Sequence, residues 1–250
     1  MDLTGKTAIV TGGARDIGRA ISLRLAQLGA NVVVNYHSSQ SDGDETLRQI
    51  KDAGGNGIAV RADVTNWDEC HQLVSKAQEA FGQEIHCLVN NAGGLVARKT
   101  LAEMDVAFWD KVMDLNLKSV FIMHKAVVPH MPSGGSIVNL SSQAARDGGG
   151  GGSAAYSTSK GAVTTFTRSM AKELGPDGIR VNAVCPGMIA TTFHDTFTTD
   201  NIREAVAGKT PLRREGSAAE VANLVACLLS DDSSFVTGNN VDINGGLAFS

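Results

Sequence analysis

No apolar run in this 250-residue chain approaches the roughly 18 residues a membrane-spanning helix needs, so a helical membrane protein is excluded. The opening residues Met1-Asp2-Leu3-Thr4-Gly5-Lys6 lack the apolar centre of a secretory signal, and no leader is expected. Aromatic residues make up only 5% and the net charge is −4, which leaves no basic stacking surface for nucleic acid. The cysteines Cys70, Cys87, Cys185 and Cys227 lie far apart and form no metal-type pair. As free thiols they fit a reducing compartment, and a cytoplasmic location is expected. The histidines His37, His71, His86, His124, His130 and His194 form no spaced ligand set, so no metal is expected. There is no internal repeat and no linker, which leaves residues 1–250 as one domain.

What is present is an alternation. Thr7-Ala8-Ile9-Val10-Thr11 reads as a short buried strand that Gly12-Gly13 breaks at once. Ile17, Ile21, Leu25 and Leu28 then recur at helical spacing until Gly29. Such a glycine turn ahead of a helix offers free backbone N–H groups and a positive dipole end to a phosphate. Asn31-Val32-Val33-Val34-Asn35 is a second strand and closes a βαβ unit of the length used for dinucleotides. The pattern continues with a helix near 43–53, a strand at 57–61, a helix from about 66 to 81 and a strand at 86–89. A long helical region from Met104 to His130, a strand at 136–140, a helix opening near Ala154 and a strand at 179–184 follow. Residues 188–215 show no clean period, and a helix at 218–229 and a strand at 240–243 complete the chain. The fold class expected is α/β, a single-domain Rossmann fold with a doubly wound parallel sheet of about seven strands and helices on both faces. Right-handed crossovers bring the strands' C-terminal ends to one edge. Gly12–Gly18, Asp63, Asn90–Gly93, Ser142 and Pro186–Thr191 each follow a strand and should meet there.

The stretch from Asn139 to Met170 brings chemistry to that edge. Tyr156 and Lys160 stand four apart on one helix and project from one face, while Ser141-Ser142 ends the preceding strand. A phenol titrates at about 10, and a neighbouring ammonium lowers that value toward use as a proton donor and acceptor. Lys160 is placed to do this, and Ser142 to hydrogen-bond a substrate oxygen. The same spacing also suits a helix whose tyrosine and lysine only face solvent. Five consecutive glycines, 148–152, make the intervening loop flexible or let a substrate approach its backbone closely.

Seven motifs occur in order: Thr11-Gly12-x-x-x-Asp16-Ile17-Gly18, Asp63-Val64, Asn90-Asn91-Ala92-Gly93, Asn116, Ser142, Tyr156-x-x-x-Lys160 and Pro186-Gly187-x-x-x-Thr191. With them the chain resembles the short-chain dehydrogenase/reductase family over essentially its whole length. Among its members it looks most like 3-oxoacyl-carrier-protein reductases, through Val33–Ser39 and Asn244-Gly245-Gly246. The resemblance implies an oxidoreductase that interconverts a ketone and a secondary alcohol by hydride transfer, with Tyr156 as general acid/base. Ser142 would hold the substrate oxygen, Lys160 would lower the Tyr156 pKa and bind the nicotinamide ribose, and Asn116 would support a proton-relay water. Ser142, 14 residues before Tyr156, fits the family spacing better than Ser141. Implied cofactor contacts are Gly12, Arg15, Ile17, Gly18, Asn35, Ser38, Asp63, Val64, Asn90, Ala92, Gly93, Tyr156, Lys160, Pro186, Gly187, Ile189 and Thr191.

One residue departs from the family pattern. Asp16 stands where the family has the second loop glycine, and a carboxylate beside phosphates repels them unless it points away or pairs with Arg15 or Arg19. The second strand ends Asn35-Tyr36-His37-Ser38 with no acid to bind ribose hydroxyls, and Arg15 sits in the loop. NADP(H) is therefore expected, with Asn35, Ser38 and Arg15 as donors to the 2′-phosphate and NAD(H) as the alternative. Residues 188–215 resemble the family's substrate lid, and Met188, Phe193 and Phe197 imply a partly apolar pocket. Family members that take a carrier protein dock it through basic residues near His130-Met131-Pro132-Ser133, where this chain has no lysine or arginine. A small-molecule ketone or secondary alcohol is the substrate expected, with no nucleic acid and no membrane partner. The resemblance also implies a homotetramer, or a dimer, built on Met104–His130, Tyr156–Leu174 and the last strand. Alternatives are a 3-oxoacyl-carrier-protein reductase, an NAD-dependent alcohol dehydrogenase, or a catalytically silent dinucleotide-binding protein, the last disfavoured by intact Tyr156 and Lys160.

Overall fold

Short runs of β-branched residues set the architecture. In the computed structural model, which describes residues 1–249, β1 (Thr7–Val10) leads through the glycine turn into α1 (Asp16–Gln27). The alternation continues through β2 (Asn31–Tyr36), α2 (Gln40–Asp52), β3 (Asn56–Arg61), α3 (Trp67–Phe81) and β4 (Cys87–Asn90). Next come α4 (Val106–Met113), a π-helical segment (Asp114–Lys118), α5 (Ser119–Val127), β5 (Ser136–Leu140), α6 (Ala144–Asp147) and α7 (Ala154–Leu174). The chain closes with β6 (Arg180–Pro186), α8 (Thr192–Phe197), α9 (Asp200–Lys209), α10 (Ala218–Leu229) and β7 (Asn240–Ile243).

All seven strands form one parallel sheet in the order β3-β2-β1-β4-β5-β6-β7. The order reverses between β1 and β4, where Val10 lies opposite Val34 on one side and Val89 on the other. Successive side chains go to opposite faces, as a pleated strand requires. Ala8, Val10, Val32, Val34, Val89 and Val138 pack with Ile21, Leu25, Val221 and Val225 from α1 and α10. Ile9, Val33, Leu88 and Ile137 pack on the other face with Leu73 and Val74 of α3, Met123 and Val127 of α5, and Leu174 of α7. Burial on both faces is why these strands read as continuous apolar runs.

Three boundaries differ from the sequence reading. α2 starts at Gln40, three residues early, because Ser39 Oγ accepts the Asp42 N–H and caps it. The region 104–130 is not one helix. Asn116 Nδ2 donates to the Val112 carbonyl four residues back, at 2.9 Å, taking the bond the main chain would make and leaving a π-helical segment. The stretch 188–215 holds α8 and α9, which bury no residue and so carry no apolar period.

Candidate active site

The strands' C-terminal ends open into a cleft of about 860 Å³, in the size range of cofactor pockets. Its floor is the glycine loop. Gly12 has φ +58, and a Cβ on Gly18 would overlap the Gly12 carbonyl oxygen, so the loop closes only without side chains at these positions. Asn91 Nδ2 pins it by donating to the carbonyls of Thr11 and Gly12 at 3.1 and 3.0 Å. Thr11 Oγ1 accepts the N–H groups of Asn91 and Ala92 at 3.0 and 3.1 Å.

Of the residues singled out from sequence, Gly12, Arg15, Ile17, Gly18, Ser38, Ala92, Gly93, Ser142, Tyr156, Lys160, Pro186, Gly187, Ile189 and Thr191 line this cleft. Asn35, Asp63, Val64, Asn90 and Asn116 are not part of its lining, and each is engaged elsewhere. The Asn35 carboxamide is buried, accepting the Gly12 N–H at 3.2 Å and donating to the Ala62 carbonyl at 3.0 Å. It braces the glycine loop from behind and has no donor left for a 2′-phosphate. Asp63 Oδ1 accepts the N–H and hydroxyl of Thr65 at 2.9 and 2.8 Å, and Val64 packs in the core. Asn90 turns inward to Asn139 Oδ1 at 2.9 Å, and its neighbour Asn91 forms the cleft wall instead. Asn116 is fully buried and holds both polar atoms of the Gly94 backbone at 2.9 Å. That clamp explains Gly93, where a Cβ would come within 2.7 Å of Asn116 Oδ1 and 3.2 Å of Lys160 Nζ.

The corner of the cleft that holds Ser142, Tyr156 and Lys160 is built from β5 and α7. Lys160 is 4% exposed, and its Nζ donates to the Leu140 carbonyl at 2.6 Å. Burial lowers its pKa to about 8. The Tyr156 phenol stands beside the Ser142 hydroxyl, and burial raises its pKa while the Ser142 hydrogen bond opposes the rise. The ammonium was expected to lower the tyrosine; held on the Leu140 carbonyl and 5.8 Å from the ring centroid, it does not lead here, and desolvation does. Ser142 Oγ accepts the Ala144 N–H at 3.1 Å, whereas Ser141 Oγ donates to the Lys160 carbonyl and is turned away.

Several cleft residues were missed from the sequence. At the β2 end, His37, Ser39 and Asp42 join Ser38, with His37 Nε2 3.8 Å from Asp63 Oδ2 and Asp42 held by Arg19 Nη2 at 3.4 Å. Asp42 carries an acidic charge that the strand-end tetrapeptide does not reveal. On the α8 side, Met188, Phe193 and Phe197 line the cleft as the sequence implied, with the Phe193 ring 6.0 Å from Tyr156 and 5.2 Å from Phe197. Arg98 Nε donates to the Phe197 carbonyl at 3.1 Å and Nη1 to the Gly151 carbonyl at 2.9 Å. The glycine run serves this close approach: a Cβ on Gly150 would lie 3.2 Å from Arg98 Nη1, and one on Gly152 3.0 Å from Arg98 Cβ. Asp16 reaches from the glycine loop to Thr192, accepting its N–H at 3.1 Å and its hydroxyl at 2.6 Å. Among the described residues no helix is long and apolar enough to cross a membrane.

Known proteins match this arrangement along the whole chain. The family model described as enoyl-(acyl carrier protein) reductase matches residues 12–248. Glucose 1-dehydrogenase 2 of Bacillus subtilis is 39% identical over 98% of this chain and 96% of its own. The 3-oxoacyl-[acyl-carrier-protein] reductase FabG of Staphylococcus aureus is 38% identical over 97% of this chain and 98% of its own. Among solved structures, an NADH-dependent reductase responsible for alginate metabolism superposes with a TM-score of 0.89 at 36% identity, covering 99% of both chains. A blue fluorescent protein from a metagenomic library, in complex with NADPH, gives a TM-score of 0.91 at 34% identity, covering 100% of both.

Proposed function

The chain belongs to the short-chain dehydrogenase/reductase family, and on that premise we propose that it interconverts a small-molecule ketone and its secondary alcohol with NADP(H), Tyr156 being the general acid/base. The observation that carries this reading is the convergence of Tyr156, Ser142 and Lys160 on the cleft whose floor is the glycine loop. The loop fits a dinucleotide because side chains are excluded where phosphates would lie against backbone. When bound, the nicotinamide supplies or accepts the hydride. The chain's own residues do the rest.

Ser142 would hold the substrate oxygen beside the phenol, and a raised pKa keeps the Tyr156 proton in place for donation in the reductive direction. Lys160, anchored on the Leu140 carbonyl, sets a positive charge at the corner below its pKa of about 8 and would bind the nicotinamide ribose. Asn116 fixes the Gly93-Gly94 wall and thereby the space available to the ring. NADP(H) over NAD(H) is supported by exposed Arg15 and by Ser38, Ser39 and His37 at the β2 end. Asp42, partly neutralised by Arg19, opposes it. A homotetramer built on 104–130, α7 and β7 accompanies this reading and is supported by Phe121, which leaves 49% of its surface exposed on α5; sedimentation tests it. A 3-oxoacyl-carrier-protein reductase is the second reading, favoured by the family description and FabG, and opposed by the absence of lysine and arginine at 130–133.

Titration with NADPH and NADH, followed by nicotinamide fluorescence, tests the proposal. Tighter NADPH binding is expected. Tighter NADH binding would overturn the cofactor preference, and binding of neither would overturn the enzyme reading.

A further inference from the structure

We propose that Asp16 is a positioning residue that clasps the lid to the glycine loop, so that the dinucleotide enters and leaves only when the clasp opens. The inference rests on the cofactor reading above. Asp16 has φ +50, in the left-handed region that costs a non-glycine residue energy and persists only when the surroundings hold it. What holds it is 176 positions away: Oδ1 accepts the Thr192 N–H at 3.1 Å and Oδ2 the Thr192 hydroxyl at 2.6 Å. Both carboxylate oxygens are thus engaged, with Arg15 Nε 3.9 Å from Oδ2. Among the described residues, these are the hydrogen bonds that join α8 to the glycine loop.

The contact has leverage because α8 is weakly held otherwise. It buries no residue, and among the described residues its other polar side-chain ties to distant segments are Arg98 to the Phe197 carbonyl and Arg203 to Asp195. Thr192 directly precedes Phe193, which packs toward Tyr156. One carboxylate therefore spans from the floor where phosphates would sit to the residue facing the reactive corner. A glycine at position 16 would leave the backbone unstrained and would simply lack the clasp.

Simple charge repulsion gives the opposite kinetic sign. If Asp16 did no more than repel phosphate, Asp16→Gly would slow NADPH release. If Asp16 is a clasp, Asp16→Gly speeds both association and release. Stopped-flow fluorescence of NADPH with the wild type, Asp16→Gly, Thr192→Val and the double variant separates the two. Each single change should raise the release rate roughly tenfold, the scale of a lost charge-assisted hydrogen bond, and the double variant should release no faster than Asp16→Gly. In the absence of cofactor, amide hydrogen exchange across 192–209 should quicken in both single variants. Slower release from Asp16→Gly, strictly additive effects, or unchanged lid exchange would each overturn the clasp. If the wild type binds neither NADPH nor NADH, the cofactor reading fails, and the lid exchange measured without cofactor still decides whether Asp16 holds α8.

Discussion

The helix that carries Tyr156 and Lys160 and the two helices α8 and α9 face each other across one cleft but are held by different physics. α7 buries residues along its length, from Ala155 through Val163 and Thr167 to Leu174, and packs onto β6 and the core beneath it. α8 and α9 bury none and are fastened by polar side chains: Arg203 to Glu215 and Asp195, Arg98 to the Phe197 carbonyl, Thr192 to Asp16. A helix seated by apolar burial cannot shift without exposing its core face, so Tyr156 and Lys160 stay in register. Segments with few buried contacts open at low free-energy cost. On the proposed reading the chemistry is built on the well-packed side, and access and substrate choice fall to the side with few buried contacts.

The comparison breaks first if the rigid corner is not where the chemistry lies. Tyr156→Phe removes one hydroxyl from a well-packed position and should lower kcat by roughly 10²–10⁴-fold, the range of a lost general acid/base. NADPH affinity should change only slightly, because the ring and the Lys160 anchor remain. A variant with near-normal turnover would mean that another group delivers the proton.

The rigid side should also carry the stronger pH dependence of stability. His124 on α5 is 3% exposed, with Nδ1 2.8 Å from the Val120 carbonyl oxygen, and burial lowers its pKa to about 4. The unfolded chain binds this proton near the ordinary value of about 6.5, so between these limits the unfolded state holds more protons. The stabilisation is fully present above pH 6.5 and is lost as the pH falls toward 4, by about 3 kcal/mol. Urea midpoints at pH 7 and pH 4.5 measure it, and His124→Phe should flatten the difference. An equal slope in that variant would place the acid sensitivity elsewhere.

The same division decides what could be read from the sequence. Strands and core helices announce themselves because burial on a fixed face imposes a period, as at Ile21 and Leu25 or across Val32-Val33-Val34. The glycine loop, Ser142 and the Tyr156/Lys160 pair were legible because short-range spacing fixes them on strand ends and on one helix face. Asn35 and Asn90 misled because a polar residue at a strand end gives no sign of which way its amide turns, and here neighbouring backbone and Asn139 claim them. Asn116 hides a similar inward bond, and its π-helical register depends on a side chain replacing a main-chain donor. Asp42 and Thr192 were missed because their positions in the cleft depend on how distant segments pack.

The smallest effect expected lies on the lid's outer fastening. Arg203 binds Glu215 through Nε at 2.7 Å and Asp195 through Nη1 at 2.6 Å, tying α9 to α8 and to the segment before α10. The Arg203–Glu215 pair is bidentate and mostly covered but lies on a helix that buries no residue, so Arg203→Met should lower the thermal midpoint only modestly. What it should alter is the position of Phe193 and Phe197 over the pocket, since α8 would lose its bond to α9. The expected result is a ketone KM raised about threefold with kcat unchanged, and added salt should shift the wild type in the same direction by weakening the same pair. A fall in kcat without a change in KM would mean that Arg203 supports the proton-transfer corner, and the two sides of the cleft would then not be mechanically separate.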